Sequence, residues 1–356
     1  FGAGCYGHNG ADDVAMDAAL VAIVNPGHHV RVQWRRPEEF GHEPLGPAML
    51  IDLTVEVDLQ GWPVDWTAEI WSPTHVQRPS ADSGALLAAD ALSEAGPPQV
   101  PDDPPEERGG GGTRNAKPYY DIPRSRILHH LIKEPPVRTS ALRTLGALPN
   151  IFALEAMIDD LANRCEKDPL DYRLALLSDE RARDVLSAVA KNAKWRERGI
   201  GGDGWGLGLA FSRYKNMAAY AATAVALRVD ERVNLEKIWV VADAGLVINP
   251  DGLRNQLEGG AIQGASWALK EQVTLDGSGV SSLDWDAYPI LRFSEVPEIE
   301  AEIIDKPHEP SLGAGECAVP PTAAAIGNAV AHALGRRISH MPLSRERIMA
   351  ALLKSG

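Results

Sequence analysis

The sequence has only three cysteines, Cys5, Cys165 and Cys317, widely separated and odd in number. That pattern does not indicate a disulfide framework, and the thiols fall short of the four that hold an iron–sulfur cluster. No CxxC or zinc-like spacing occurs. The neighbouring pairs His28-His29 and His129-His130 would point to opposite faces of a strand, so they read as surface or core residues rather than metal ligands. Long apolar runs are also missing. The best candidate, Met217 to Leu227, is alanine-rich and well short of the ~18 residues of a transmembrane helix. Positive charge is scarce: 35 Lys and Arg face 49 Asp and Glu, a formal net charge of −14. Arg31, Arg35 and Arg36 cluster, but Glu38 and Glu39 follow at once, so no basic patch offers itself to nucleic acid.

Familiar catalytic and nucleotide motifs are absent too. The glycines at 201, 202, 204, 206 and 208 do not fit GxGxxG, and a strand pattern rather than a helix follows them. No GxxxxGK[ST], GxSxG or HExxH occurs, which removes phosphate-loop enzymes, α/β hydrolases and zincins. The chain opens at Phe1 without methionine or signal peptide and runs directly into Gly2-Ala3-Gly4-Cys5-Tyr6-Gly7, as expected of a processed, split or truncated chain.

What is present is an ordinary globular composition, 44% hydrophobic and 24% charged over 356 residues, enough for two domains around a real core. In residues 1–83, Asp12 can cap a helix through Val14, Leu20 and Val21 that Asn25-Pro26-Gly27 stops. Val30, Val32 and Trp34 alternate as on a half-buried strand, as do Leu53, Val55 and Val57, then Val64, Trp66 and Ile70. The expectation is one helix packed on an antiparallel sheet. Residues 84–118, rich in Pro and Gly, read as a surface linker or a wrapping arm and as a protease-sensitive segment.

Residues 119–356 form the second unit. Asn150 can cap a helix with Leu154, Ile158, Leu161 and Cys165 inward, and a second helix spans roughly 179–192. Strands are expected at about 208–229, 236–242 and around 271, 290 and 301, with helices at about 251–269 and from Pro321 to Gly335. Strands and helices come in blocks rather than strict alternation, which makes the fold α+β, with mixed sheets and packed helices.

Three stretches invite chemistry. Gly313-Ala314-Gly315-Glu316-Cys317 leads through Pro320-Pro321 into a helix, and a carboxylate on so tight a loop suits a general base. Its plainer reading is a solvated acid before a helix N-terminus. Asn249 to Gly264 carries Gln256 and Gln263 among small residues at 259, 260, 261, 264 and 265, compatible with a close-packed helix or a ligand contact. Arg138 to Ala147 carries Arg143, which suits either an anion or a structural ion pair. Cys317 has no basic neighbour to activate it and reads as packing.

In order and content these stretches resemble the molybdenum-binding subunit of the xanthine dehydrogenase/aldehyde oxidase family, within it the branch of the nicotinate dehydrogenase B subunit and the isoquinoline 1-oxidoreductase beta subunit. The likeness corresponds to the C-terminal half of such a subunit. It runs through Gly4 to Asp13, Val30 to Trp34, Arg138 to Ala147, Phe152 to Glu155, Asp168 to Arg173, Asn249 to Gly264 and Leu291 to Val330. The resemblance implies the molybdenum-cofactor-binding fold and assigns roles by position. Glu316 would be the base, with Gly315 beside the cofactor. Gln256 would contact the pterin. Arg143 would line the substrate pocket with Leu145, and Cys5, Tyr6 and Gly7 would pass near the metal. Leu142 and Leu145 stand where xanthine-type members carry aromatic residues, so a purine sandwich is not implied.

The implied cofactor is molybdenum-molybdopterin in its cytosine dinucleotide form, with the metal held by the pterin dithiolene and [2Fe–2S] clusters only on a partner. The implied reaction is hydroxylation of a nicotinate-like N-heterocycle, or oxidation of an aldehyde, with oxygen from water. Implied partners are an iron–sulfur subunit, a chain carrying the N-terminal half of the molybdenum domain with its Gly-Gln-Gly stretch, and a flavin subunit or cytochrome. The setting is cytoplasmic or periplasm-facing. The rival expectation is a non-catalytic structural half retained for assembly.

Overall fold

A computed structural model of the chain describes residues 4–5, 8–76, 86–90, 102–277 and 279–353. In chain order the elements are β1 (Gly4–Cys5), β2 (His8–Asn9), α1 (Asp13–Val24), α2 (Arg36–His42), β3 (Leu50–Val57), β4 (Pro63–Ser72), α3 (Leu87–Asp90) and β5 (Arg124–Leu131). There follow α4 (Ala147–Arg164), α5 (Pro169–Ala175), α6 (Glu180–Asn192), β6 (Trp205–Arg213), β7 (Tyr220–Val229) and β8 (Val233–Asp243). The last group is α7 (Pro250–Leu269), β9 (Leu275–Asp276), β10 (Gly279–Val280), β11 (Glu298–Ile304), α8 (Val319–Leu334) and α9 (Arg345–Leu353). The α+β class expected from the sequence is the one observed.

A four-stranded mixed sheet, in the order β11-β8-β7-β6, organises the molecule. β11 runs parallel to β8, while β7 is antiparallel to both β8 and β6. Both faces are buried, so β6 and β7 read as continuous apolar runs instead of alternating ones. One face gives Ala210, Val225, Ile238 and Val240 to a core closed by α7 and α8. The other gives Leu207, Leu209, Phe211 and Ala224 to a core closed by α5 and α6. α4 contributes to both, with Ile151 and Phe152 on one side and Leu154 and Ile158 on the other.

The glycines in β6 explain how α8 sits. A Cβ on Gly206 would lie 2.0 Å from the Ala329 carbonyl, and one on Gly208 would lie 2.2 Å from the Ala329 nitrogen. Helix backbone therefore rests directly on strand backbone, which only glycine permits.

Local signals set the helix ends. Asn249 Oδ1 accepts from Gly252 N at 2.9 Å, and Asp179 accepts from Arg181 N at 2.9 Å. Gly335, at φ +63°, ends α8 in the left-handed conformation.

Several expectations are corrected. Val30, Val32 and Trp34 do alternate in burial, yet residues 29–35 pair with no described strand. α1 packs near α3 rather than on the sheet and leaves Leu20, Ile23 and Val24 exposed. The sheet of the first segment is mixed, because β5, from beyond the Pro/Gly-rich segment, pairs parallel with β4. One sheet therefore joins strands from either side of residues 84–118. α4 starts at Ala147, so Asn150 lies inside it, and Cys165 caps its C-terminus half-buried. No strand forms at 271 or 290. Among the described residues, no helix is long and apolar enough to cross a membrane.

Candidate active site

Glu316 lies on the loop that leaves β11 and enters α8. Neighbours grip this loop on all sides. Leu312 N donates to Ala244 O at 2.8 Å at the end of β8, and Ala219 N, from the β6–β7 turn, donates to Gly313 O at 3.2 Å. Below it α7 presses close: a Cβ on Gly264 would meet the Val319 carbonyl at 2.7 Å, and one on Gly260 would meet Ala318 Cβ at 3.2 Å. The small-residue stripe of α7 is thus what α8 packs against.

The Glu316 side chain is half-buried, and Thr144 N donates to its Oε1 at 2.8 Å. Thr144 and Leu145 hold positive φ, +81° and +51°, which is costly for residues with a Cβ. That turn aims the Thr144 N–H at the carboxylate. Leu145, half-buried, follows directly in the same turn.

Arg143 is buried and acts as a bracket. Its Nε donates to Gly315 O at 3.1 Å and its Nη2 to the same oxygen, while Nη1 donates to Gln263 Oε1 at 2.9 Å. Nη2 also lies 3.4 Å from Gln256 Oε1. Arg143, Gly315, Gln256 and Glu316, named from distant stretches of the sequence, therefore meet at one place. Arg143 binds protein carbonyls there and presents no free fork to an anion.

The early segment packs against the stretch that leads into Arg143. Ser140 Oγ donates to Gly10 O at 2.7 Å, and Arg138 Nη2 pairs with the buried Asp13 at 2.6 Å. Cys5 lies in β1, opposite His8 of β2. Tyr6 and Gly7 lie outside the described residues. Cys317 is fully buried, its Sγ 3.2 Å from Ala314 O, and burial pushes its thiol up to about 12, so it is packing.

Sequence reasoning missed Arg114 and Tyr214. Of the two readings of the Pro/Gly-rich segment, residues 102–118 take the arm: Gly110, Gly111 and Gly112 are buried, and Gly146 N donates to Gly111 O at 3.1 Å. Gly112 admits no Cβ, which would lie 2.6 Å from both His129 Nε2 and Ser72 Oγ. The arm buries Arg114, whose Nη1 donates to the Tyr214 hydroxyl at 2.9 Å. Burial first, and then the Glu316 charge, raise the Tyr214 phenol well above its ordinary range, so it stays protonated. The four consecutive glycines before Arg114 were the available signal.

Among the described residues no cluster of three or more His, Cys, Asp or Glu is placed to hold a metal ion. The fully buried Thr144 Oγ1, next to the Glu316 contact, has no partner among them. With the half-buried Gln256 amide it offers hydrogen bonds to a polar cofactor.

Comparison with known proteins places this arrangement. Residues 154–297 match the molybdopterin cofactor-binding domain, the class of protein that the fold and the site define. The B subunit of nicotinate dehydrogenase from Pseudomonas putida is 37% identical over 99% of this chain and 30% of its own length. The beta subunit of isoquinoline 1-oxidoreductase from Brevundimonas diminuta is 32% identical over 67% of this chain and 30% of its own. The chain thus spans about a third of the length of these relatives. The fold is that of quinoline 2-oxidoreductase from Pseudomonas putida 86, with a TM-score of 0.74 at 14% identity over 95% of this chain and 66% of that one. Aldehyde oxidoreductase from Desulfovibrio gigas superposes with a TM-score of 0.69 at 14% identity over 90% of this chain and 51% of that one. The chain belongs to the molybdopterin-binding proteins of the xanthine dehydrogenase/aldehyde oxidoreductase family.

Proposed function

We propose that this chain is the base-bearing half of a molybdopterin-dependent hydroxylase subunit that oxidises an N-heterocyclic aromatic such as a nicotinate-like acid, with aldehydes as the second class. The observation that carries the reading is the Glu316 carboxylate, half exposed yet held by the Thr144 N–H on a loop that Arg143 brackets at Gly315. A carboxylate held in place on a tight loop suits a general base.

The cofactor would be held by the Gln256 amide and the Thr144 hydroxyl, with the Gly315 segment alongside. When bound it supplies the two-electron redox chemistry. Glu316 takes up the proton released at its Oε atoms as oxygen from water is added to an electron-poor carbon. Arg143 keeps the Gly315 peptide, and with it Glu316, at a fixed place. Leu142 and Leu145 would give the substrate an aliphatic wall, which favours a flat ring by apolar contact over a specific stack. The cytosine dinucleotide form of the cofactor, an iron–sulfur subunit as electron acceptor, and a chain carrying the other half of the molybdenum domain complete the proposal. The names of the nicotinate and isoquinoline relatives support the substrate class.

Molybdenum analysis and pterin release on the complex purified under native conditions test the reading. Stoichiometric molybdenum and a released pterin are expected. An intact, sulfur-replete complex without molybdenum would leave the chain a structural half.

A further inference from the structure

We propose that a cavity beside the Arg143 turn holds the substrate ring, and that the Gln263 amide donates a hydrogen bond to a nitrogen of that ring. The inference rests on the reading of the chain as part of an N-heterocycle hydroxylase and names the residues that select the ring.

The cavity measures about 320 Å³ and opens between α2, the second half of α7 and the 284–291 loop. That volume suits one small aromatic molecule. The stretch that leads into Arg143 closes it on one side. Leu45 N donates to Arg138 O and Ser140 N to Leu45 O, at 2.9 Å each. A Cβ on Gly46 would lie 2.9 Å from Leu142 Cδ2, so the chain presses directly on Leu142. Leu142 thus forms a wall next to the Arg143 bracket.

Aromatic residues are only 6% of the chain, yet Phe40, Trp267, Trp285 and Tyr288 all line this one cavity. The Phe40 ring lies 4.8 Å from Tyr288 and 5.9 Å from Trp285, centroid to centroid. The loop that carries Trp285 and Tyr288 is pinned. The Tyr288 hydroxyl donates to Glu271 Oε2 at 2.7 Å, Leu291 N to Ser266 Oγ at 3.0 Å, and Ala287 N to Asp284 Oδ1 at 2.8 Å. Walls fixed in advance lose little freedom when a flat ring enters, and ring–ring contacts add to the area it buries.

The charged groups of the lining are engaged with protein. Arg36 Nη1 lies 2.9 Å from Glu39 Oε2, and its guanidinium sits 4.2 Å from the Trp285 ring centroid. Glu271 accepts from both Ser266 and Tyr288, and Glu43 is engaged as well.

Gln263 is different. Arginine can only donate, so the atom 2.9 Å from Arg143 Nη1 is the amide oxygen of Gln263. Its NH₂ end has no acceptor among the described residues, and Gln263 lines the cavity. An amide whose oxygen accepts from a cation donates more strongly through its nitrogen. A ring nitrogen with its lone pair is the acceptor that fits. A carbocycle of the same shape leaves the NH₂ unpaired, which is how a site built to hydrogen-bond its substrate rejects an analogue. The same bond draws electron density from the carbon beside the ring nitrogen, the kind of carbon to which oxygen is added in the proposed reaction.

Isoquinoline and naphthalene, alike in shape and differing in the nitrogen, are the probes, titrated into the complex purified under native conditions. The nitrogen NMR signal of isotope-labelled isoquinoline should move upfield on binding, as a hydrogen-bonded ring nitrogen does. Gln263→Met should abolish that shift and lower the ratio of isoquinoline to naphthalene affinity about tenfold. Trp285→Leu should weaken both probes alike, with thermal unfolding as the control for folding. Absence of the shift in the wild-type complex overturns the inference, as does a shift and an affinity ratio that persist in well-folded Gln263→Met. Unchanged affinity for both probes in Trp285→Leu overturns the choice of cavity. If binding follows the expected pattern but the molybdenum-replete complex oxidises no N-heterocycle, the ring site stands and the proposed reaction falls.

Discussion

Thr144 gives its backbone N–H to Glu316 at 2.8 Å although 172 positions separate them in sequence. The contact depends on a turn with two consecutive residues at positive φ, held down because Gly146 N reaches Gly111 O at 3.1 Å. Gly146 is the tight point: a Cβ there would lie 2.5 Å from Gly111 O and 2.7 Å from Gly112 O. Gly146→Ala should therefore cost about 1–3 kcal/mol by overpacking and lower kcat by displacing Thr144. Denaturant unfolding with parallel kinetics checks both. A variant of native stability and rate would show that the arm and the turn are not coupled.

Arg143→Lys should loosen the Glu316 loop. Lysine offers one point of donation where arginine reaches Gly315, Gln263 and Gln256 together. Hydrogen exchange of residues 312–318 is expected to speed up, and stability to fall by about 1.5–3 kcal/mol. Unaltered exchange in that loop would place the restraint elsewhere.

A second buried charge system supports the fold away from the site. Arg173 is fully buried, its Nε 2.9 Å from Glu155 Oε2 and its Nη1 3.0 Å from Asp159 Oδ1. Burial pulls the guanidinium down, but the two carboxylates outweigh it and hold Arg173 cationic. Glu155 also accepts from Tyr120 at 2.6 Å and from Phe211 N at 3.0 Å, tying α4 and α5 to β6. Arg173→Met leaves two buried carboxylates without their cation and should cost about 3–5 kcal/mol. A loss below about 1 kcal/mol in denaturant unfolding would contradict this account of the network.

His75 makes stability depend on pH. It is 1% exposed, neither ring nitrogen has a partner among the described residues, and burial, aided by His129 and Arg114, pushes it from 6.5 down to about 3. Its folded value is depressed, so below 6.5 the unfolded chain takes up a proton that the folded chain refuses. The stability His75 contributes is complete above 6.5 and is lost as pH falls toward about 3. Between roughly pH 6 and 4 the unfolding free energy should fall by about 1.4 kcal/mol per unit from this group alone. His75→Phe should remove that slope; an identical slope would assign the acid sensitivity to other groups.

The sequence was most legible where the signal is local. The helix starts expected near 251 and 179 and the stop at Gly335 are kept by the structure, and Glu316, Arg143 and Gln256 do converge. Alternation at Val30, Val32 and Trp34 reports one-sided burial but not a hydrogen-bonded neighbour, so it suggested a strand that does not form. Pro and Gly in 102–118 look the same whether the chain wanders or is pressed against backbone, and only three-dimensional packing decides. Arg114 and Tyr214 act through each other across 100 positions, a relationship that no window on the sequence contains.

The most direct measurement is the activity of the complex carrying Glu316→Gln, with molybdenum and pterin content determined on the same sample. The amide is nearly isosteric and can still accept from Thr144 N–H, so the cofactor should stay bound. Turnover should drop by a factor on the order of 10²–10⁴, the range of a lost general base. Full activity with cofactor bound would contradict the central claim that Glu316 takes the proton.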